Sequence, residues 1–256
     1  MSEITNEQEA LAAVRENGTA LRFVPENLMT AELCLEAVRQ TGWALQDVPD
    51  KHMTEELCLA AVSQDGTALI NVPEHLKTAE VCLEAVRHFD IALYGEHSFD
   101  WTVLEYVPEH LKTAEVCLEA VRKQGRALQD VPEKHRTAEV CLEAMKQSGW
   151  ALSYVPENLR TAELCLEAIR HDGGWMLGYV PEKWNPYTFS FVPEYLKTEE
   201  FCLEAVKLKP LMLLHVPEEL MTAEFCIEAV KQNGKALEYV PDALREEVSR
   251  RLKSGE

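Results

Sequence analysis

The chain has 256 residues, with 44 Asp and Glu against 25 Lys and Arg, for a formal charge of −19 with histidine neutral. Surfaces that bind nucleic acid or anionic membrane collect Lys and Arg to neutralise phosphates, so this balance argues against both and favours a basic, neutral or apolar partner. At 46% hydrophobic and 27% charged residues, the composition is that of a folded chain with a sizeable core.

The N-terminal stretch MSEITNEQEALAAVREN carries acids where a signal peptide needs a basic and then an apolar run. No later stretch approaches the roughly 18 apolar residues of a membrane span, so a soluble, cytoplasmic protein is expected. EALAAVRENGTALRFVP reads as a helix followed by a turn and predicts a capping unit over residues 1–24, with Ala10 where later copies have cysteine.

Ten of the twelve prolines follow a valine, and most successive ones lie 24 residues apart. Counting each proline as zero, the unit reads V-P-E-x-L-x-T-A-E-V-C-L-E-A-V-R-x-x-G-x-A-L-x-Y. Eight copies start at Pro25, Pro49, Pro73, Pro108, Pro132, Pro156, Pro193 and Pro217. In the first copy Thr30 can cap a helix, Glu32 lies in its first turn, Arg39 in its last, and Gly42 suits a left-handed stop. Ala31, Cys34, Leu35 and Val38, at i, i+3, i+4 and i+7, form the predicted buried stripe. The x-A-L-x-Y run then predicts a shorter helical element that Val-Pro interrupts, and Pro-Glu-x-Leu a further turn of 3-10 type. No segment alternates with the period of a strand. The fold class is therefore all-α: one α-solenoid over residues 1–256, with repeats in 25–240 and a charged C-terminal cap in 241–256, where Arg250 takes the cysteine position.

The recurrent E-A-V-R-x-x-G-x-A-L-x-Y-V-P-E-x-L, seen from Glu36 to Leu45 and again in Val48, Pro49 and Asp50, resembles an uncharacterised bacterial family of alanine- and leucine-rich 24-residue repeats, a domain of unknown function. A more distant similarity is to the leucine-rich repeat variant, also built on 24-residue units, which implies alternating α and 3-10 helices in a right-handed superhelix. Neither resemblance implies an activity or functional residues.

Thr at five after the proline, Cys at nine and Ala at twelve are constant in all eight copies and are assigned to cap, core and close packing. The cysteines invite a metal or redox reading. However, helices stack about 8–10 Å apart, beyond the about 7 Å that a disulfide spans, and no C-x-x-C pair is present. They read as core thiols of a reducing compartment. Among the histidines, His75 and His110 lie two after their prolines, His52 and His135 three after, and His88, His97, His171 and His215 are scattered. None has a chelating spacing, and no nucleophile elbow, Walker loop or dinucleotide fingerprint occurs. No catalytic residue, metal ligand or cofactor is assigned, and an enzyme of unknown class is kept only as a further alternative.

Positions two, four, fifteen, sixteen and eighteen after the proline, and the residue two before it, vary freely and are candidates for a recognition edge. Trp43 and Trp150 at eighteen, and Phe23, Tyr154 and Tyr239 two before a proline, are examples. The register breaks twice. Pro73 to Pro108 spans 35 residues, placing an insertion near 94–104, and Pro156 to Pro193 spans 37, placing another near 173–191. These windows concentrate the aromatics, and the candidate binding residues are Tyr94, Phe99, Trp101, Tyr106, Trp175, Trp184, Tyr187, Phe189 and Phe191. Both insertions leave the same part of the unit and are expected to project from one side around a groove.

Two functions follow. One is a scaffold that binds a protein or peptide, a basic one being favoured by charge, through the aromatic insertions and the acidic surface. The other is a nucleic-acid mimic whose carboxylates block a DNA-binding protein. Acids occur one after the proline in all ten Val-Pro units, seven after in all eight full copies and eleven after in seven. The first two sets suit helix starts and the third an i,i+3 pair such as Glu36 with Arg39, so helix stabilisation accounts for most of them and the scaffold is preferred.

Overall fold

The structure, a computed structural model, describes residues 4–90, 102–171 and 188–254. Every regular element in them is helical. The α-helices are α1 (Glu7–Glu16), α2 (Ala31–Gln40), α3 (Glu55–Gln64), α4 (Ala79–Arg87), α5 (Ala114–Lys123), α6 (Ala138–Gln147), α7 (Ala162–Arg170), α8 (Glu199–Leu208), α9 (Ala223–Gln232) and α10 (Asp242–Ser254). Between them lie long 3-10 helices such as Gly42–Asp47 and three-residue ones such as Glu26–Leu28 on the V-P-E-x-L turn.

The chain divides into two compact units, Met1–His135 and Arg136–Glu256. In the first, α1 to α5 stack in order, and a parallel row of long 3-10 helices stacks beside them: Gly18–Phe23, Gly42–Asp47, Gly66–Asn71, Val103–Tyr106 and Gly125–Asp130. In the second, α6 to α10 and the 3-10 helices Gly149–Tyr154, Thr188–Phe191, Pro210–His215 and Gly234–Tyr239 repeat the arrangement. The fold is an all-α solenoid with a core between an α layer and a 3-10 layer.

The constant threonine starts each repeat helix. Its side chain accepts the N–H of the third helical residue in all eight copies, as Thr30 does from Leu33 at 3.1 Å and Thr137 from Val140 at 3.3 Å. Each such cap contributes about 1 kcal/mol by satisfying a donor that the helix cannot. The helix ends differently from the expectation. Thr41, at the end of α2, is extended (φ −151°, ψ 109°), and Gly42 opens the next 3-10 helix rather than making a left-handed stop. Glycine is needed there for space, since a Cβ on Gly42 would sit 2.4 Å from the carbonyl oxygen of Ala61 in the next repeat.

The buried stripe is also rotated from the predicted one. In α2 it comprises Leu33, Cys34, Ala37 and Val38, while Ala31 is exposed and Leu35 only half-buried. The helix is held by helices α1 and α3 and by two 3-10 helices, its own and the preceding one. That neighbourhood covers a wider arc than the single seam an i, i+3, i+4, i+7 pattern describes.

Position four, read from sequence as free, is structural. Lys112 has a side chain only 12% exposed, and its Nζ donates to the carbonyl oxygen of Asp130 at 3.2 Å. Arg136 donates likewise to Tyr154 (3.1 Å), and Arg160 to Phe191 and Val155 (both 2.9 Å). These cations cap the end of their own repeat's long 3-10 helix, where carbonyls lack partners of their own. At the C-terminus α10 begins directly after Pro241, without a threonine cap. It therefore leaves Arg250 exposed and buries Val248.

Candidate binding surfaces

The eight cysteines are all fully buried and free, as core thiols should be. Burial raises each of them from its ordinary value near 9, to about 11 for Cys58, Cys82, Cys117, Cys141, Cys165 and Cys202. A thiol held protonated in an apolar setting is a poor nucleophile and ligand. Among the described residues no three His, Cys, Asp or Glu side chains converge on a point that could hold a metal.

Six of the nine candidate binding residues, Tyr94, Phe99, Trp101, Trp175, Trp184 and Tyr187, lie outside the described residues. The described residues at the ends of both windows correct the insertion boundaries. Thr102, Val103 and Leu104 are buried, and Thr102 Oγ1 donates to Asp130 Oδ2 at 2.6 Å. Leu104 stands four before its proline, where Leu45 stands in the first repeat, so the predicted window 94–104 overruns into the next core turn. In the second window Thr188 and Phe189 are likewise buried, and Phe189 fills the same leucine position. Its ring lies 6.0 Å from that of Phe201 and 6.2 Å from that of His215, with Lys197 Nζ 5.4 Å above it. Phe189 is therefore a core residue and not a recognition residue. Phe191 and Tyr106 are half-buried at the ends of their 3-10 helices.

Sequence reading missed the device at the two exits. Helices α4 and α7 stop one residue early, and both are followed by histidine in nearly the same backbone state: His88 at φ −99°, ψ 10°, and His171 at φ −96°, ψ 7°. Each ring stands 3.1 Å from the glutamate four residues earlier, His88 from Glu84 and His171 from Glu167. The carbonyls of His88 and His171 accept the N–H of Gly66 (3.2 Å) and Gly149 (3.3 Å) in the repeat before. The signal was available: His88 and His171 both lie fifteen after their proline, where other copies have Gln, Lys or Leu, and they are 83 residues apart. His52 and His135, Asp47 and Asp130, and the prolines at 25 and 108 keep the same separation. A larger unit of three repeats ending in an insertion is thus duplicated.

Two surfaces carry the charge. Carboxylates one and seven after each proline are exposed in every repeat, from Glu26 and Glu32 to Glu218 and Glu224. Those at eleven are mostly engaged locally, as Glu119 is with Arg122 (2.8 Å) and Glu143 with Lys146 (2.7 Å). Glu36 departs from this pattern by pairing with Arg15 of the preceding repeat at 3.4 Å instead of Arg39. Among the described residues the large exposed apolar side chains, Phe23, Ile70, Trp150, Tyr195 and Leu214, all lie on 3-10 helices and none on an α-helix.

Residues 6–54, 31–77, 113–160, 137–184, 183–221 and 198–245 match the family described as "Domain of unknown function (DUF4116)". Together these stretches cover well over half of the chain. The chain belongs to this family. Most of the matches span two successive repeats, and the gap between 77 and 113 contains the first exit. Comparison with curated proteins and with solved structures found no match.

Proposed function

We propose that the chain is a scaffold for a protein or peptide partner and not an enzyme, engaging that partner through the aromatic insertions and the acidic edge. The observation that carries this reading is the matching backbone at His88 and His171, the two points where the chain leaves the 24-residue register. The constant positions are absorbed by caps and core, which leaves recognition to what departs from the repeat. The exposed carboxylates favour a basic partner over nucleic acid or an anionic membrane. Among the described residues no helix is long and apolar enough to cross a membrane, and eight unpaired thiols suit a reducing, cytoplasmic setting.

The test is capture of partners from the native cell by the intact chain and by a Trp101→Ala, Trp184→Ala variant with unchanged helical content. Loss of the captured partner supports the reading, and unchanged capture removes the insertions from it. Salt-sensitive competition with DNA for a basic protein, unaffected by the two substitutions, would replace it with the nucleic-acid mimic.

A further inference from the structure

Asn-Gly occurs twice in the chain, at Asn17–Gly18 and Asn233–Gly234. In such a pair the glycine amide nitrogen can reach the asparagine Cγ, because no Cβ shields it and its backbone turns freely, and the asparagine is labile for that reason. Locally the two sites match closely. Asn17 is extended at φ −151°, ψ 114° and Asn233 at φ −145°, ψ 106°, and each opens a long 3-10 helix. Each side-chain oxygen accepts the N–H two residues on, from Thr19 at 3.0 Å and from Lys235 at 3.2 Å.

Their surroundings differ. For the glycine nitrogen to meet Cγ, the Asn–Gly peptide must rotate out of the extended state, and that rotation swings the glycine. Gly18 is buried, and a Cβ on it would lie 2.4 Å from the Ala37 carbonyl oxygen and 3.0 Å from Thr41 Cβ. Packing against the next repeat therefore holds its peptide in place. Gly234 is exposed, and a Cβ on it would meet nothing within 4 Å. It belongs to the eighth and last repeat. The following helix, α10, starts directly after Pro241, and Lys253 stands twelve after that proline where the repeats have alanine. Asn233 also donates from Nδ2 to the carbonyl of Lys207, in the last turn of α8, at 3.3 Å. That bond satisfies a helix-end acceptor and ties the eighth repeat to the seventh.

We propose that Asn233–Gly234 is a self-modification site, at which Asn233 deamidates in the folded chain while Asn17 is protected. The Gly234 amide nitrogen attacks Asn233 Cγ and gives up its proton, the side-chain nitrogen leaves as ammonia, and a succinimide ring closes. Water then adds to one of the two ring carbonyls and breaks its bond to the ring nitrogen, leaving aspartate or isoaspartate. Either product lacks the Nδ2 donor and carries a new carboxylate, and isoaspartate also adds a carbon to the main chain at the start of the 3-10 helix. The modification therefore releases the tie between the seventh and eighth repeats. It needs no partner and does not rest on the scaffold reading given above.

The experiment incubates the full chain, native and in urea, at mildly alkaline pH under reducing conditions. The peptides containing Asn17 and Asn233 are then separated after digestion and weighed by mass spectrometry. In the native chain, aspartate and isoaspartate are expected to accumulate many times faster at 233 than at 17, while in urea the two sites convert alike. Gly234→Ala, whose Cβ has room, should suppress conversion at 233 with helical content unchanged. Asn233→Asp, which has the charge of one product, should lower the melting temperature by losing the bond to Lys207. Asn17→Asp keeps the oxygen that accepts from Thr19 and should not lower it. Four results overturn the proposal: equal conversion at 17 and 233 in the native chain, conversion at 17 alone, no conversion at 233 while the unfolded chain converts there, or undiminished conversion in Gly234→Ala. A melting temperature unmoved by Asn233→Asp overturns the release of the tie. None of these outcomes depends on Trp101 or Trp184, so failure here is distinguishable from failure of the proposed function.

Discussion

Gly42 and Ala61 stand in successive repeats so close that a methyl group on the glycine would lie 2.4 Å from the alanine carbonyl oxygen. The same relationship joins Gly18 to Ala37 (2.4 Å) and Gly66 to Ala85 (2.0 Å). Gly at seventeen, present in six of the eight copies with Asp90 and Pro210 in the others, and the constant Ala at twelve are at these places one contact seen from its two sides. At Gly234 a Cβ would meet nothing within 4 Å.

Gly42→Ala should therefore cost about 1–3 kcal/mol in urea denaturation, as overpacking against backbone does. Gly234→Ala should be neutral or stabilise by up to about 1 kcal/mol through the unfolded chain. Equal effects at the two sites would contradict the close-approach explanation.

The buried thiols set an alkaline limit on stability. An unfolded cysteine ionises near about 8.5, whereas Cys117, Cys141 and Cys165 in the folded chain are held to about 11 by burial. Their folded values are raised, so their contribution is complete below the unfolded value and is lost as the pH climbs toward 11. Denaturation midpoints should fall between about pH 8.5 and about pH 11, and less steeply in a variant with Cys141 and Cys165 replaced by Ala. Native thiols should also react with iodoacetamide far more slowly than unfolded ones, and fast labelling of the native chain would refute the burial argument.

Arg160 holds three carbonyls, those of Val155, Phe191 and, at 3.5 Å, Ser153. Arg160→Met keeps an apolar stem, which Met29, Met53 and Met221 show to fit this repeat position. It should nonetheless cost about 1–3 kcal/mol by leaving part-buried acceptors unpaired. Arg160→Lys should recover part of the loss, and the difference is measurable by thermal denaturation.

Phe189 and Phe191 are neighbours in a window read from sequence as recognition, yet they should behave oppositely. Phe189→Ala empties a core position against Phe201 and should cost about 3–5 kcal/mol. Phe191→Ala, at a half-buried site whose main contact is through its carbonyl, should cost much less. Deleting 94–101 should leave a folded chain that keeps Leu104 in its core position, while deleting 94–104 brings Leu93 to four before Pro108 and should restore a regular 24-residue unit. Circular dichroism and melting curves of the four variants decide both points.

Most of the fold was legible because the repeat exposes its own grammar. Eight copies of Thr at five, Cys at nine and Ala at twelve separate scaffold from surface without any structure, and the structure keeps each in the assigned role as cap, core and close packing. The insertions were legible only as a failure of the count. A count locates extra residues but not which end of the window returns to the core, and so Leu104 falls within the expected insertion and Phe189 among the expected recognition residues. The exit at His88 and His171 was written in the sequence at a fixed position, but its significance lies in hydrogen bonds to Gly66 and Gly149 in other repeats.

The sequence by itself determined the helical class, the 24-residue period, the caps and the cysteine core, because these depend on residues within one repeat. Tertiary structure decided which arc of each helix is buried, why glycine follows it, what Lys112, Arg136 and Arg160 do, and where Leu214 is left bare. Each of those depends on backbone distant in sequence, in a neighbouring repeat or at the far end of the same one, and a side chain's environment across that gap is fixed by how the elements stack.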